Sequence, residues 1–244
     1  MPATGASIGT PGRRNEDRFA IGPDWAFVLD GATAPSGVDS GCAHDVVWLV
    51  RRLGGALAEL LTTSDDPLAD VLAEAIARVR AAHVDTCDLN NPNSPSSTAT
   101  LLRLRDQAEY LVLADSPLVL DVGGEVRAIV DDRIDHLPSR TLEAVAELRN
   151  ADGGFWVAST VPEAAHQAVT GTLPQFRRAA LLTDGASRLV DHFGLTDWPG
   201  LLDLLDEQGP ASLLAEVRRA ESTGPPPARG KPHDDATAIH WAEP

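Results

Sequence analysis

Trp25-Ala26-Phe27-Val28-Leu29 is an unbroken apolar run that stops on Asp30-Gly31, and Ala179-Ala180-Leu181-Leu182-Thr183 runs in the same way into Asp184-Gly185. Short continuous apolar runs bounded by turn residues predict strands covered on both faces. Shorter apolar segments at Ser7-Ile8-Gly9 and Arg18-Phe19-Ala20-Ile21 predict two more strands, with Gly22-Pro23-Asp24 as the turn into the first long run. Between residues 38 and 61 the period changes: Val46, Val47, Leu49, Val50, Leu53, Leu57, Leu60 and Leu61 recur at helical spacing. Ser64-Asp65-Asp66-Pro67 is a helix-start signal with Asp or Ser as cap and Pro in the first turn. The second helix then runs to about His83, with Leu68, Val71, Leu72, Ile76 and Val79 on one face.

Beyond the polar, proline-broken loop Asn90 to Ser97, strand patterns return at Thr98 to Arg103, Ala108 to Ala114, Pro117 to Val122 and Val126 to Val130, the last two joined at Gly123-Gly124. Leu142 to Leu148 predicts a short helix, Phe155 to Ala158 a strand, and Pro162 to Val169 another short helix. Arg177 to Thr183 is the strand that delivers Asp184. Leu201 to Leu205 and Leu213 to Ala220 are amphipathic helices, and Gly224-Pro225-Pro226-Pro227 is a rigid loop before a last strand from Ala236 to Trp241. Strands in tight succession argue for antiparallel pairing, and the order predicts an α+β fold of two antiparallel sheets flanked by helices. No repeat and no linker divides the chain, so residues 1–244 read as a single domain.

Composition narrows the function. The chain carries 36 acidic and 20 basic residues, a net charge of −16, with no Lys/Arg-rich block, which argues against nucleic acid as a partner. No run reaches the roughly 18 apolar residues of a membrane span, and the N-terminus lacks a basic segment followed by an apolar core. The expectation is a cytoplasmic protein with no membrane partner. Cys42 and Cys87 are the only cysteines; neither has metal-finger or CxxC spacing, and they read as reduced and structural.

Asp-Gly alone is a favoured hairpin turn. Here each pair follows an apolar run, so the carboxylates read as strand ends exposing an acid, with a glycine whose carbonyl can approach a cation closely. Aspartates without an HExxH or a Cys/His cluster suit hard ions such as Mg2+ or Mn2+ better than zinc.

These features together resemble a known family. Asn15-Glu16-Asp17, Val28-Leu29-Asp30-Gly31, Ser97-Thr98-Ala99, Ala114-Asp115-Ser116, Leu181-Leu182-Thr183-Asp184-Gly185 and Asp234-Asp235-Ala236-Thr237 fall in the order and approximate spacing of the motifs of the PPM/PP2C-type metal-dependent protein serine/threonine phosphatases, as in a divergent bacterial member. The resemblance spans about residues 7 to 241. It implies a four-layer α-β-β-α sandwich with two Mg2+ or Mn2+ ions, and a third as in bacterial members, in a cleft between the sheets. By the same resemblance Asp30 bridges two metals, with the Gly31 carbonyl completing one shell. Asp184 and Asp234 hold one metal and Glu16 supports the other. Asp115 with Asp184 forms the third site, and Asp17 stands behind the ligands. The implied reaction is hydrolysis of phosphoserine, phosphothreonine or a small phosphomonoester by a metal-bridging water.

The sequence departs from the family at several points. The phosphate-gripping arginine lies four residues before the glutamate, which here is Gly12; a one-residue slip would present Arg13 or Arg14 instead. The histidine that some members carry two residues after the bridging aspartate is Ala32, and Gly-Asp-Ser-Arg reads Ala114-Asp115-Ser116-Pro117. His233 is the better candidate for a replacement acid, and His44 reads as a surface or helix-packing residue. Two other readings follow: a catalytically weak or inactive regulatory module on the same fold, and a phosphatase with a nucleophilic aspartate, which wants a second acid where Ala32 stands.

Overall fold

The computed structural model describes residues 3–34, 37–224 and 231–242. Its strands are β1 (Ala3–Ile8), β2 (Arg18–Ile21), β3 (Trp25–Leu29), β4 (Gly31–Ala32), β5 (Ser96–Ser97), β6 (Ala99–Leu104), β7 (Ala108–Leu113), β8 (Leu118–Val122), β9 (Glu125–Ile129), β10 (Val169–Leu173), β11 (Arg178–Leu182) and β12 (Ala236–Ala242). The helices are α1 (Val46–Thr63), α2 (Leu68–His83), α3 (Leu142–Leu148), α4 (Asp184–Asp191) and α5 (Trp198–Thr223). One five-stranded sheet has the order β1-β12-β11-β8-β9, the other β10-β7-β6-β3-β2, and every pairing in both is antiparallel. The result is the expected α+β sandwich.

Side-chain alternation builds the layers. Along β3, Trp25, Phe27 and Leu29 pack outward under α1 and α2 with Leu53, Leu57, Leu72 and Ile76, while Ala26 and Val28 face the other sheet with Leu118, Leu181, Ile239 and Trp241. On the far side Ala180, Leu182, Ala236 and Ala238 meet Leu201, Leu205, Leu213 and Val217 of α5. Each buried Leu or Phe adds about 1.5–3 kcal/mol to this packing. A strand with both faces covered has no polar period, which is why these runs are continuously apolar.

Some expectations need correction. Phe155 to Ala158 is not a strand; it makes isolated bridges from Phe155 to Arg149 and from Ala158 to Ser97. Pro162–Gln167 is a 3-10 helix, and β10 follows it as a strand that the sequence reading passed over. The segment ahead of Val46 is loop rather than helix, because the Asp45 side chain accepts from the Trp48 N–H and caps α1 there. Pro67, not an Asp or Ser, holds the cap position of α2, without a side-chain bond. The carbonyls of Ser64 and Asp66 instead accept from the buried Arg103 guanidinium. The two C-terminal amphipathic segments lie in α5 on either side of a break at Gly209, whose φ is 78°. Most of the proline loop, Pro225 to Gly230, lies outside the described residues.

The cysteines also depart from expectation. Cys42 and Cys87 face each other in an isolated antiparallel bridge and are joined as a disulfide, not left as reduced thiols. They precede α1 and follow α2, so the helical hairpin brings together residues 45 apart in the chain. Among the described residues no helix is long and apolar enough to cross a membrane.

Candidate metal centre

Antiparallel pairing gathers the acids at one end of the sandwich. β3 ends on Asp30 where its neighbour β2 begins just after Glu16-Asp17, in the register Arg18↔Leu29. β11 ends on Thr183-Asp184 where β12 begins after Asp234-Asp235, and the Thr183 N–H donates to the Thr237 carbonyl at 3.0 Å. β7 ends on Ala114-Asp115, and Thr98 ties that corner to Asp30. Its N–H donates to the Asp30 carbonyl at 2.9 Å, its hydroxyl accepts from the Asp30 N–H at 3.1 Å, and the same hydroxyl lies 2.7 Å from Ser116 Oγ.

Asp17 fastens the two sheets beneath the acids. Its Oδ2 accepts from the hydroxyls of Thr183 at 2.9 Å and Thr237 at 2.7 Å, while its buried Oδ1 has no partner. Burial, with the charges of Asp235 and Asp184, pushes its carboxyl up to about 7. Asp235 does parallel work at the loop: its two oxygens accept the Thr10 and Glu16 N–H groups, each at 2.6 Å. Glu16 Oε1 accepts from the Thr33 hydroxyl at 2.8 Å. A Cβ on Gly31 would stand 2.5 Å from the Glu16 carbonyl oxygen, so only glycine fits between β4 and that loop.

The carboxylates repel one another. Burial and the neighbouring Asp184 and Asp17 charges drive Asp30 well above the usual carboxylate range, and it shares a hydrogen bond with Asp184. Burial and Asp234 raise Asp184. Burial and Asp184 push Asp115 up to about 7. Burial likewise raises Glu16, against the Thr33 hydrogen bond and the Lys231 charge.

Cations of the chain lean on Asp234. Lys231 Nζ lies 3.0 Å from Asp234 Oδ1, and Arg188 Nη2 lies 3.3 Å from Asp234 Oδ2. Burial opposes the Lys231 charge, but attraction to Asp234, Asp30 and Asp184 outweighs it and raises the lysine's pKa. Arg14 is engaged elsewhere, 2.6 Å from Asp45. Arg13 lies close enough to lower the Glu16 pKa, and among the described residues its guanidinium has no hydrogen-bond or ion-pair partner. His233 is engaged through one ring nitrogen: its Nδ1 is 2.9 Å from the buried Glu221, which also binds Arg188 and Arg218. His44 stacks on Trp48 at 4.1 Å.

Glu16, Gly31, Asp30, Asp115, Asp184 and Asp234 therefore meet at one end of the fold. Sequence reasoning missed the roles of Lys231 and Asp235, although Asp235 sits in the Asp234-Asp235-Ala236-Thr237 motif, and it missed the Thr183 and Thr237 hydroxyls that Asp17 holds. The donor set is all oxygen, with the unpartnered buried Asp17 Oδ1 behind it, and it suits hard divalent ions.

A sequence profile described as protein phosphatase 2C matches residues 4–222. The chain belongs to the protein phosphatase 2C family. No curated protein matches this family member in sequence. Among solved structures it is similar to the PPM Ser-Thr phosphatase MsPP from Mycobacterium smegmatis in complex with cacodylate, at TM-score 0.63 and 16% identity over 99% of this chain and 98% of that one. A serine/threonine phosphatase from Staphylococcus aureus superposes at TM-score 0.62 and 13% identity, covering 99% and 94%. The catalytic domain of the serine/threonine phosphatase PstP, in complex with two manganese ions, superposes at TM-score 0.57 and 17% identity, covering 98% and 96%. At such identities the structures establish that the protein phosphatase 2C chain has the fold of these enzymes.

Proposed function

We propose that residues 1–244 form one phosphatase domain that hydrolyses phosphoserine and phosphothreonine esters with Mn2+ or Mg2+. Glu16, Asp30 with the Gly31 carbonyl, Asp184 and Asp234 would hold two ions, and Asp115 with Asp184 a third. Such cations, when bound, lower the pKa of water in the cleft and neutralise the phosphate oxygens. The observation that supports this reading best is the convergence of acids from separate strands: β3 ends on Asp30 beside Glu16-Asp17, β11 ends on Asp184 beside Asp234-Asp235, and Thr98 ties Asp30 to the corner of Asp115. Cations would relieve the repulsion among them. Arg13, without a side-chain partner among the described residues, would grip a phosphate through its forked donors, whereas Arg14 is occupied by Asp45. Asp17 acts behind the ligands, orienting the Thr183 and Thr237 hydroxyls that fix the ends of β11 and β12.

A second reading, a weakly active or inactive regulatory module, is favoured by two observations. Gly12 stands where the family's arginine is expected, and Asp234 is already paired with Lys231 and Arg188, which compete with a metal. Phosphate release from a phosphothreonine peptide separates the two. The phosphatase reading predicts release that requires Mn2+ or Mg2+, and a loss in Arg13→Ala of about 1.5–3 kcal/mol, roughly ten- to a hundredfold in kcat/KM. Stoichiometric Mn2+ binding with no phosphate release would establish the module instead.

A further inference from the structure

A second group of metal-binding side chains lies away from the acid cluster, where the α1–α2 hairpin closes. Cys42 and Cys87 stand opposite one another there, and the Asp88 N–H donates to the Gly41 carbonyl at 2.7 Å to hold the two segments together. His83, the last residue of α2, is 3% exposed and reaches into the same corner. Its Nδ1 lies 3.6 Å from Cys42 Sγ, its Nε2 has no hydrogen-bond partner, and the ligand atoms of Cys42, His83 and Cys87 all fall within 4.8 Å of one another.

In a tetrahedral zinc site with Zn–S near 2.3 Å and Zn–N near 2.0–2.1 Å, a sulfur and a nitrogen ligand stand about 3.6 Å apart. That is the separation of Cys42 Sγ and His83 Nδ1. Burial and the nearby His44 lower the His83 pKa, which favours the neutral ring a metal requires.

We propose that Cys42, Cys87 and His83 form a thiolate–imidazole site for a borderline-soft divalent cation of the zinc class, filled when the disulfide is reduced. A dithiol reductant gives two electrons and two protons to the cystine, producing two thiols and a cyclic disulfide. The cation then displaces the two thiol protons and binds two thiolates and the imidazole, with water in the fourth position. His44 is not the fourth ligand, because its Nε2 lies 3.2 Å from Thr86 Oγ1 and its ring is stacked on Trp48. Soft sulfur and imidazole donors separate this site from the all-oxygen cluster, so the two select different ions.

Co2+ is the probe. The full chain is reduced with a dithiol, its free thiols are counted, the reductant is removed without air, and Co2+ is titrated in. The expected result is a thiolate-to-cobalt charge-transfer band with the intense visible absorption of four-coordinate cobalt, both displaced by Zn2+. The acid cluster can bind Co2+ but has no thiolate to give that band. The oxidised chain and a Cys42→Ser, Cys87→Ser double variant should lack it. His83→Gln should weaken Co2+ binding at least as much as loss of an outer-shell partner does, about tenfold to a hundredfold; His83→Asn serves the same purpose should His83→Gln not fold. A disulfide that resists reduction in the folded chain, no charge-transfer band after reduction, or unchanged Co2+ affinity in a folded His83 variant would each overturn the proposal.

Discussion

Ala114 occupies the left-handed region, with φ 67°, immediately before Asp115. Its N–H donates to Asp131 Oδ2 at 2.9 Å, and Asp131 is in turn held by two bonds from Arg133, each at 2.7 Å. That network fixes the direction in which Asp115 leaves β7. For a residue with a Cβ the conformation costs about 1–2 kcal/mol. Ala114→Gly is expected to remove this strain, partly offset by greater freedom in the unfolded chain, for a net gain of about 0.5–1 kcal/mol. The check is a rise in denaturation midpoint at unchanged slope; a fall would mean that Ala114 is not strained. At this scale the sequence was informative about the acids and silent about their supports. The departure from Gly at 114 was visible, but its φ was not. Asp30 and Asp184 could be named because they end apolar runs, and Glu16 and Asp17 because they fall in the family's motif order. The partners that set their behaviour, Lys231, Asp235 and the two threonine hydroxyls, come from remote segments, as Thr237 and Asp17 do at 220 residues apart.

At the scale of elements, the turn from β11 into α4 is set by close approach. A Cβ on Gly185 would lie only 1.9 Å from the Asp235 carbonyl oxygen, backbone that cannot yield cheaply. Gly185→Ala should therefore separate β11 from the start of β12, costing about 1–3 kcal/mol as an overpacking change. It should also weaken Mn2+ affinity, since Asp184 and Asp234 lie on the two sides of that contact. Calorimetric titration with Mn2+ beside thermal unfolding is the check, and an alanine variant with wild-type affinity and stability would refute the account of this turn. The glycine after each strand-end acid thus has a steric reason, at Gly31 as at Gly185.

Elements were legible where one physical signal dominated. β2, β3 and α3 match their expected limits because continuous apolar runs, turn residues and a Thr141 cap mark them. β10 was passed over since Val169-Thr170-Gly171-Thr172-Leu173 is a half-exposed edge strand with little apolar content. Phe155 to Ala158 looked like a strand because three of its residues are buried and apolar, yet they pack against Ala114 and Ile134 or under the helices rather than in a ladder. The Cys42–Cys87 pairing depends on how the helical hairpin closes, which no local pattern records.

For the whole molecule, the acid cluster couples stability to pH and to metal. Asp17 titrates near 3.8 when unexposed to these forces and near 7 in the fold, and Asp115 behaves likewise. Between those values the folded chain holds more protons than the unfolded one, so its stability falls as pH rises through that window and levels off above it. The contribution is fully present only below the unfolded value. On the proposed function Mn2+ would bind the ionised acids, so its stabilisation should grow across the same window. Melting temperatures followed from about pH 4 to pH 8, with a chelator and with Mn2+, should diverge as pH rises; parallel curves would contradict the coupling. The two sheets, with helices outside them, were foreseen from the order of strands and helices.

The central claim is that these acids assemble a working metal centre, and hydrolysis of para-nitrophenyl phosphate by the purified chain tests it most directly, with and without Mn2+ and beside Asp30→Asn. The account predicts turnover that needs Mn2+ and is abolished in Asp30→Asn while the variant remains folded. Equal turnover in the variant, or wild-type protein that binds Mn2+ and releases no nitrophenol, would contradict it.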